Sequence, residues 1–438
     1  MRSSLARSVL ILVALTILAS YVVIASGSSQ VAIVIHSNLY VFNAIPTGSG
    51  AELCLVGSSS IGVASAKPIN GTTTLLTVAM PKGFSLKSCK LFPWGAIAVV
   101  ELSSTRIASI TVVAPRLPGA PSRAPRVVTP TKIVAKSLII VMNGSSGRWV
   151  EYVVKGVKLF DATDARGRIV AVGVDRDGHV VLLFLGRGWV KALNLSAEAT
   201  RCLEVEALGN AIELVCVNPA GTMVIELRGD RAEALKVPLL NALLSYVSMG
   251  ATYLASRSTI AILEPSTTTK LVELHRSSVV QLMQGTALIY NRNLGDIVID
   301  LTNLEAYRIV GAICSEAQVL TRSRVFALCS SVIVFANLGS RIELYGSSIA
   351  IEKARLNASI SAEKARRLEV GIRKVHGVNV SVRYLEPTQG TLALSSFVSH
   401  MATESTVKEM PMEALWIGIA VAISIAIALI AKRVVKKG

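Results

Sequence analysis

The chain has 438 residues, of which 52% are apolar and 5% aromatic, and it carries a net charge of +17. That length holds one large domain or two to three ordinary ones, and an apolar mass drawn from Val, Ile, Leu and Ala suits buried strands and membrane segments. So basic a protein ordinarily points to nucleic acid, but the two ends of the chain argue against that partner.

The first element is a leader. Arg2 and Arg7 precede VLILVALTILASYVVIA (9–25), which is uncharged and closes on Val23-Ile24-Ala25. This pattern predicts a secretory signal peptide over 1–25, with an uncleaved anchor as the alternative because the apolar run is long. The body of the chain is then expected outside the cytoplasm, away from nucleic acid.

Residues 26–150 read as short strands: VAIVIHS and NLYVFNAI (31–45), IGVASAK, TTTLLTVAM, AIAVVEL (96–102) with RIASITVVA, and SLIIVMN (137–143) with RWVEYVVKG. APRLPGAPSRAPRVVTP (114–130) carries five prolines and is a loop or a sub-boundary. The same third holds eleven basic residues against two acids, Glu52 and Glu101. Lys67, Lys82, Lys87, Lys90, Arg106, Arg116, Arg123, Arg126, Lys132 and Lys136 are expected to form a patch for an anionic partner.

From about residue 160 a repeat is legible. IVAVGVD (169–175), IELVCVN (212–218), ATYLASR (251–257), TALIYNR (286–292) and RVFALCS (324–330) begin 43, 39, 35 and 38 residues apart. Each is followed by two further runs, the last trio ending on VIVFANL and RIELYGS, and each is preceded by a segment that can be another strand. Four short antiparallel strands every 35 to 43 residues is the rhythm of a β-propeller. One four-stranded sheet buries neither face, whereas radial packing buries both and leaves few edges.

The cysteines fit this unit. Cys202 and Cys216 bracket a hairpin that turns at Gly209-Asn210, and Cys314 and Cys329 repeat the arrangement. Both pairs are expected as staples between the first two strands of a unit, with a bulge near the turn to relieve the facing of Glu204 and Leu214. Cys54 and Cys89 are left for each other. No C-x-x-C occurs, so cysteine is not expected to hold a metal.

The fold expected is all-β: a propeller of about seven four-stranded blades (six to eight) over 26–345, a small β module or stalk over 346–413, a transmembrane helix over 414–431 and a basic tail over 432–438. Within the stalk, RLEVGIRK-VHG-VNVSVRYL (367–385) reads as a hairpin. ALWIGIAVAISIAIALIA (414–431) is uncharged, with Lys432, Arg433, Lys436 and Lys437 behind it, so the C-terminus is expected in the cytoplasm. Sequons at Asn70, Asn143, Asn194, Asn357 and Asn379 suit a glycosylated exterior. The repeat resembles β-propeller proteins of the WD40-like and quinoprotein-like kind in architecture alone. No Trp-Asp signature closes the units, so no family's functional residues carry over. Together these elements look like those of membrane-anchored surface proteins of prokaryotes.

Catalytic signals are sparse. His36, His179, His275, His376 and His400 are dispersed, and no H-E-x-x-H, G-x-S-x-G or P-loop is present. Asp175-Arg176-Asp177-Gly178 could begin a calcium loop, but it lacks the later acidic ligands and reads as a turn. The expectation is therefore no catalytic residue, no metal and no cofactor, and a membrane-tethered binding or scaffolding protein for a protein or anionic polysaccharide partner. The alternative is an extracytoplasmic enzyme, a glycan-active hydrolase or cofactor-dependent oxidoreductase, with its site at the central channel.

Overall fold

The computed structural model describes residues 31–399, apart from 37–38, 49, 68–75, 82, 103–135, 145, 187, 249, 265–267, 322, 331, 345–346, 376–377 and 386–394. Both apolar terminal segments lie outside the described residues. Among those residues every regular element is a strand, and no helix is long and apolar enough to cross a membrane.

Seven sheets form a seven-bladed β-propeller. Blade 1 spans 40–79, blade 2 84–155, blade 3 158–198, blade 4 201–237, blade 5 244–274 and blade 6 277–310. Blade 7 takes three strands from 314–337 and its fourth, Val31–His36, from the start of the chain. This strand pairs Val31 with Phe335 and Val34 with Val332, closing the ring. The first strands of successive blades touch each other, which places them nearest the axis.

The sequence builds this ring because its strands are apolar on both faces. In Gly95–Leu102, Ile97 and Val99 point to blade 3 while Ala96, Ala98 and Val100 point to blade 1, all five fully buried. Strand side chains alternate between faces, so a continuous apolar run belongs between two neighbours. Among the described residues there are seven apolar clusters, and each is shared by two adjacent blades, the seam between blades 7 and 1 included.

The disulfides Cys202–Cys216 and Cys314–Cys329 pair as the spacing predicts, and Cys54 pairs with Cys89 as expected by elimination. Cys202 faces Cys216, and Cys314 faces Cys329, across the first two strands of blades 4 and 7. The bulge lies beside the cysteines rather than near the turn: Leu203 is the extra residue, and Glu204 faces Val215. Gly209 sits at φ 63° in the hairpin turn, a left-handed conformation that favours glycine. Cys54–Cys89 joins blade 1 to blade 2 over a separation of 35 residues. Replacing both with serine should cost about 3–4 kcal/mol through loop entropy, read as a lower midpoint in denaturant titration.

The greatest departure from expectation is the C-terminal part. Residues 347–399 form no separate module in the sheet topology; they run back around the rim. Ser347–Ala354 adds to blade 6, Ala358–Lys364 to blade 5, Arg366–Val370 to blade 4, Ile372–Lys374 to blade 3, Asn379–Leu385 to blade 2 and Ser395–Ser399 to blade 7. The segment expected as a hairpin over 367–385 thus serves three blades, with its halves on different sheets. Arg341–Leu344, expected as the last strand of blade 7, pairs with Ser347–Ala354 instead, and Val31–His36 takes that place. Each belt strand covers an edge that would otherwise be open. Gly311 permits the approach at blade 6, since a Cβ there would lie 1.8 Å from the Ser348 carbonyl oxygen. The Pro-rich segment 114–130 lies outside the described residues, between two neighbouring strands of blade 2.

Candidate functional site at the propeller axis

Six of the seven innermost strands carry a bulge against their second strand: at Val41/Asn43, Leu86/Ser88, Leu159/Asp161, Cys202/Glu204, Val279/Gln281 and Cys314/Glu316. A bulge inserts one residue and resets the alternation of faces. The residue after it is polar every time: Asn43, Ser88, Asp161, Glu204, Gln281 and Glu316.

Several of these side chains reach the next blade. Asn43 donates to the Cys89 carbonyl at 2.9 Å. Asp161 accepts from the Val205 N–H at 2.8 Å, Glu204 from the Val247 N–H at 3.2 Å, and Glu316 from the Ala44 N–H at 2.9 Å. The bulges thus stitch neighbouring blades around the axis.

One cation stands among the acids. Lys90, from the first strand of blade 2, places Nζ 2.9 Å from Asp161 Oδ2, 2.8 Å from Glu206 Oε2 and 4.0 Å from Glu204 Oε1. Thr163 Oγ1 lies 3.3 Å from Glu206 Oε2. The Lys90 side chain is 20% exposed and that of Asp161 only 2%. Burial opposes the ammonium, but the three carboxylates more than offset it and hold the Lys90 pKa above its ordinary value. A lysine held this way stays protonated and serves neither as base nor as nucleophile. Burial pushes Glu204 up to about 7; Lys90 opposes the shift and Asp161 adds to it. Asp161 Oδ1 and Glu204 Oε2 are buried without a hydrogen-bond partner among the described residues.

On the far side of the axis, burial pushes Glu316 up to about 8, against the Ala44 N–H and the Gln281 side chain. The ordinary value is 4.5, so the folded state prefers the neutral acid. Its contribution to stability is fully present below pH 4.5 and is lost as pH rises through about 8. The melting temperature should therefore fall between pH 5 and 9, and Glu316→Gln should flatten that fall; at about 1.4 kcal/mol per unit the effect amounts to a few kcal/mol.

The residues singled out in the sequence are scattered. Of the basic patch, Lys67 and Lys136 are exposed, Lys87 pairs with Glu101 at 2.7 Å, and Lys90 is enclosed at the axis rather than offered at the surface. Lys82, Arg106, Arg116, Arg123, Arg126 and Lys132 lie outside the described residues, as do Asn70, His376 and His400. Asn357 and Asn379 are exposed, while Asn194 donates its amide to Asp175. The Asp175 run is a turn: Oδ1 accepts the Asp177 and His179 N–H groups at 2.9 Å each. Ligand atoms of Asp175, Asp177 and His179 lie within 4.8 Å of one another, but the Asp175 oxygens are engaged with the turn and Asn194.

No family model matches the chain, and no curated protein matches it. Two solved structures of AztD from Citrobacter koseri align with it. The crystal structure does so at 9% identity and a TM-score of 0.32, covering 76% of this chain and 98% of that one. The apo structure does so at 12% identity and 0.34, covering 80% and 99%.

The axis cluster has a sequence signal. Cys-x-Glu occurs in both stapled strands, as Cys202-Leu203-Glu204 and Cys314-Ser315-Glu316. A bulge beside each cysteine turns that glutamate toward the axis.

Proposed function

We propose that the protein is a membrane-tethered, extracytoplasmic propeller that binds or scaffolds a protein or an anionic glycan, without catalysis. The observation that supports this reading most is the pairing of the first and last described strands. Ala32 faces Ser399 and His36 faces Ser395, so the strands that follow 1–25 and precede 414–431 in sequence lie side by side in blade 7. A tether there holds one sector of the rim and leaves the remaining blades to a partner. Three disulfides suit folding in an oxidising compartment. The carboxylates that converge at the axis close on Lys90, which fits a structural role better than an enzyme's open site.

The test uses the full chain in lipid vesicles and an acidic polysaccharide as probe. Binding should weaken steeply as salt is raised from about 0.05 to 0.5 M, since free charges are screened over a Debye length. The Lys67→Glu/Lys136→Glu variant should bind less. Binding that ignored salt, or no binding, would remove the glycan reading. Protease accessibility in sealed native membranes tests the topology separately, and protection of 31–399 from external protease would sink it.

A further inference from the structure

Blade 4 carries an arrangement that neither the repeat nor the axis cluster explains. Glu206 faces Glu213, Glu213 faces Glu226, Glu226 faces Glu233, and Glu233 faces the belt residue Glu369. Five glutamates therefore occupy one register across all five strands, from axis to rim. They share a face, because directly paired residues project to the same side of a sheet. That face looks to blade 5: the intervening Leu214, Ile225 and Ala234 pack toward blade 3, while Val215, Val224 and Leu235 pack toward blade 5.

Like charges directly opposite each other are destabilising. Two rungs are offset within the chain, Glu206 by Lys90 and Glu226 by Arg228. Glu213 is bonded to the Thr252 hydroxyl, and burial followed by the charge of Glu226 raises its pKa. The ion pairs of the described residues leave Glu233 and Glu369 without a cation.

Three rungs of the ladder, Glu213, Glu226 and Glu233, line a groove of about 470 Å³ between blades 4 and 5. Leu208, Val224, Leu235 and Leu263 make it apolar, and Glu264 adds a carboxylate from blade 5. Arg228 and Arg367 also border it, fewer than the four glutamates, so the groove is acidic on balance. A groove with aliphatic walls and a radial row of carboxylates is complementary to a slender aliphatic cation.

We infer that the groove between blades 4 and 5 is a binding site for a linear aliphatic polyamine, its ammonium groups on the glutamate ladder and its methylenes on the leucine walls. Neighbouring rungs are ~4.8 Å apart, about the spacing of amines separated by three methylenes. A compact metal ion would use the carboxylates but leave the apolar walls idle.

Spermidine is the probe, titrated calorimetrically into the full chain at fixed ionic strength, with thermal melting in parallel. Binding and a raised melting temperature are expected. Glu213→Gln/Glu233→Gln should weaken binding roughly tenfold to a hundredfold, the loss expected of charge-assisted hydrogen bonds. Glu233→Gln alone should melt higher than the unliganded parent, because a repulsion is removed, and should gain less from spermidine. If those variants fail to fold, Ala251→Trp fills the groove without altering charge and should abolish binding. Absence of spermidine binding, or an equal melting shift from magnesium at matched ionic strength, would overturn the inference.

Discussion

Replacing Lys90 with methionine should lower stability by about 3–5 kcal/mol, the usual cost of removing one partner from a buried ion pair. The reason lies in what remains. Asp161 has a side chain only 2% exposed, and Glu204 one 11% exposed; both face Lys90 across the axis. Without the ammonium they are buried like charges on adjacent blades, and Asp161 Oδ1 and Glu204 Oε2 already lack partners among the described residues. Lys90 also reaches the Val205 carbonyl, so blades 2, 3 and 4 loosen together. The pH dependence separates this cause from lost packing. In the variant the orphaned carboxylates take up protons on folding, so their folded pKa values lie above the unfolded ones. The defect should therefore be smallest at low pH and grow as pH rises. Lys90→Arg should recover part of the loss. Thermal melts from pH 5 to 8 decide the matter, and a defect independent of pH would refute the electrostatic account.

Ending the chain after residue 345 should have the other large effect. The belt supplies the outermost strand of five sheets and a covering strand to a sixth. Its removal strips Ile349 and Ile351 from the seam between blades 6 and 7, and leaves Val31–His36 without its outer neighbour Ser395–Ser399. Six rows of backbone N–H and C=O groups then face solvent, ready to pair with other chains. The truncated protein is expected to elute as large assemblies and to lose a single cooperative melting transition. A monomer with the parent's melting temperature would show that the belt is decoration.

The blades are legible from residue 160 onward because the second and third strands of each are buried on both faces, so runs such as IVAVGV and VIVFAN stand out between turns. Pairing of adjacent strands is local, and the staples Cys202–Cys216 and Cys314–Cys329 mark it directly. The clasp and the belt are not legible. Alternation in Arg366–Val370 and Asn379–Leu385 shows that each is a strand, but it does not say which edge receives it. Their partners lie far away in sequence, and the short connection between them looks like a turn. Lys90 reads as surface charge because a basic residue in a basic third gives no local hint that three acids from later blades enclose it. The glutamate ladder is hidden differently. Each of its members is an ordinary polar residue in an alternating strand, and only the register across five strands makes them neighbours.

The meeting of Val31–His36 with Ser395–Ser399 has a consequence for biogenesis. Among the described strands, the one synthesised first is flanked by Val332–Asn337 and by the one synthesised last. Its first pairing must wait until Val332–Asn337 has been made, and such long-range closure is slow. Until then the opening strand has hydrogen-bonding edges and no native neighbour, which leaves it open to holdase chaperones, and only Ser395–Ser399 completes its cover.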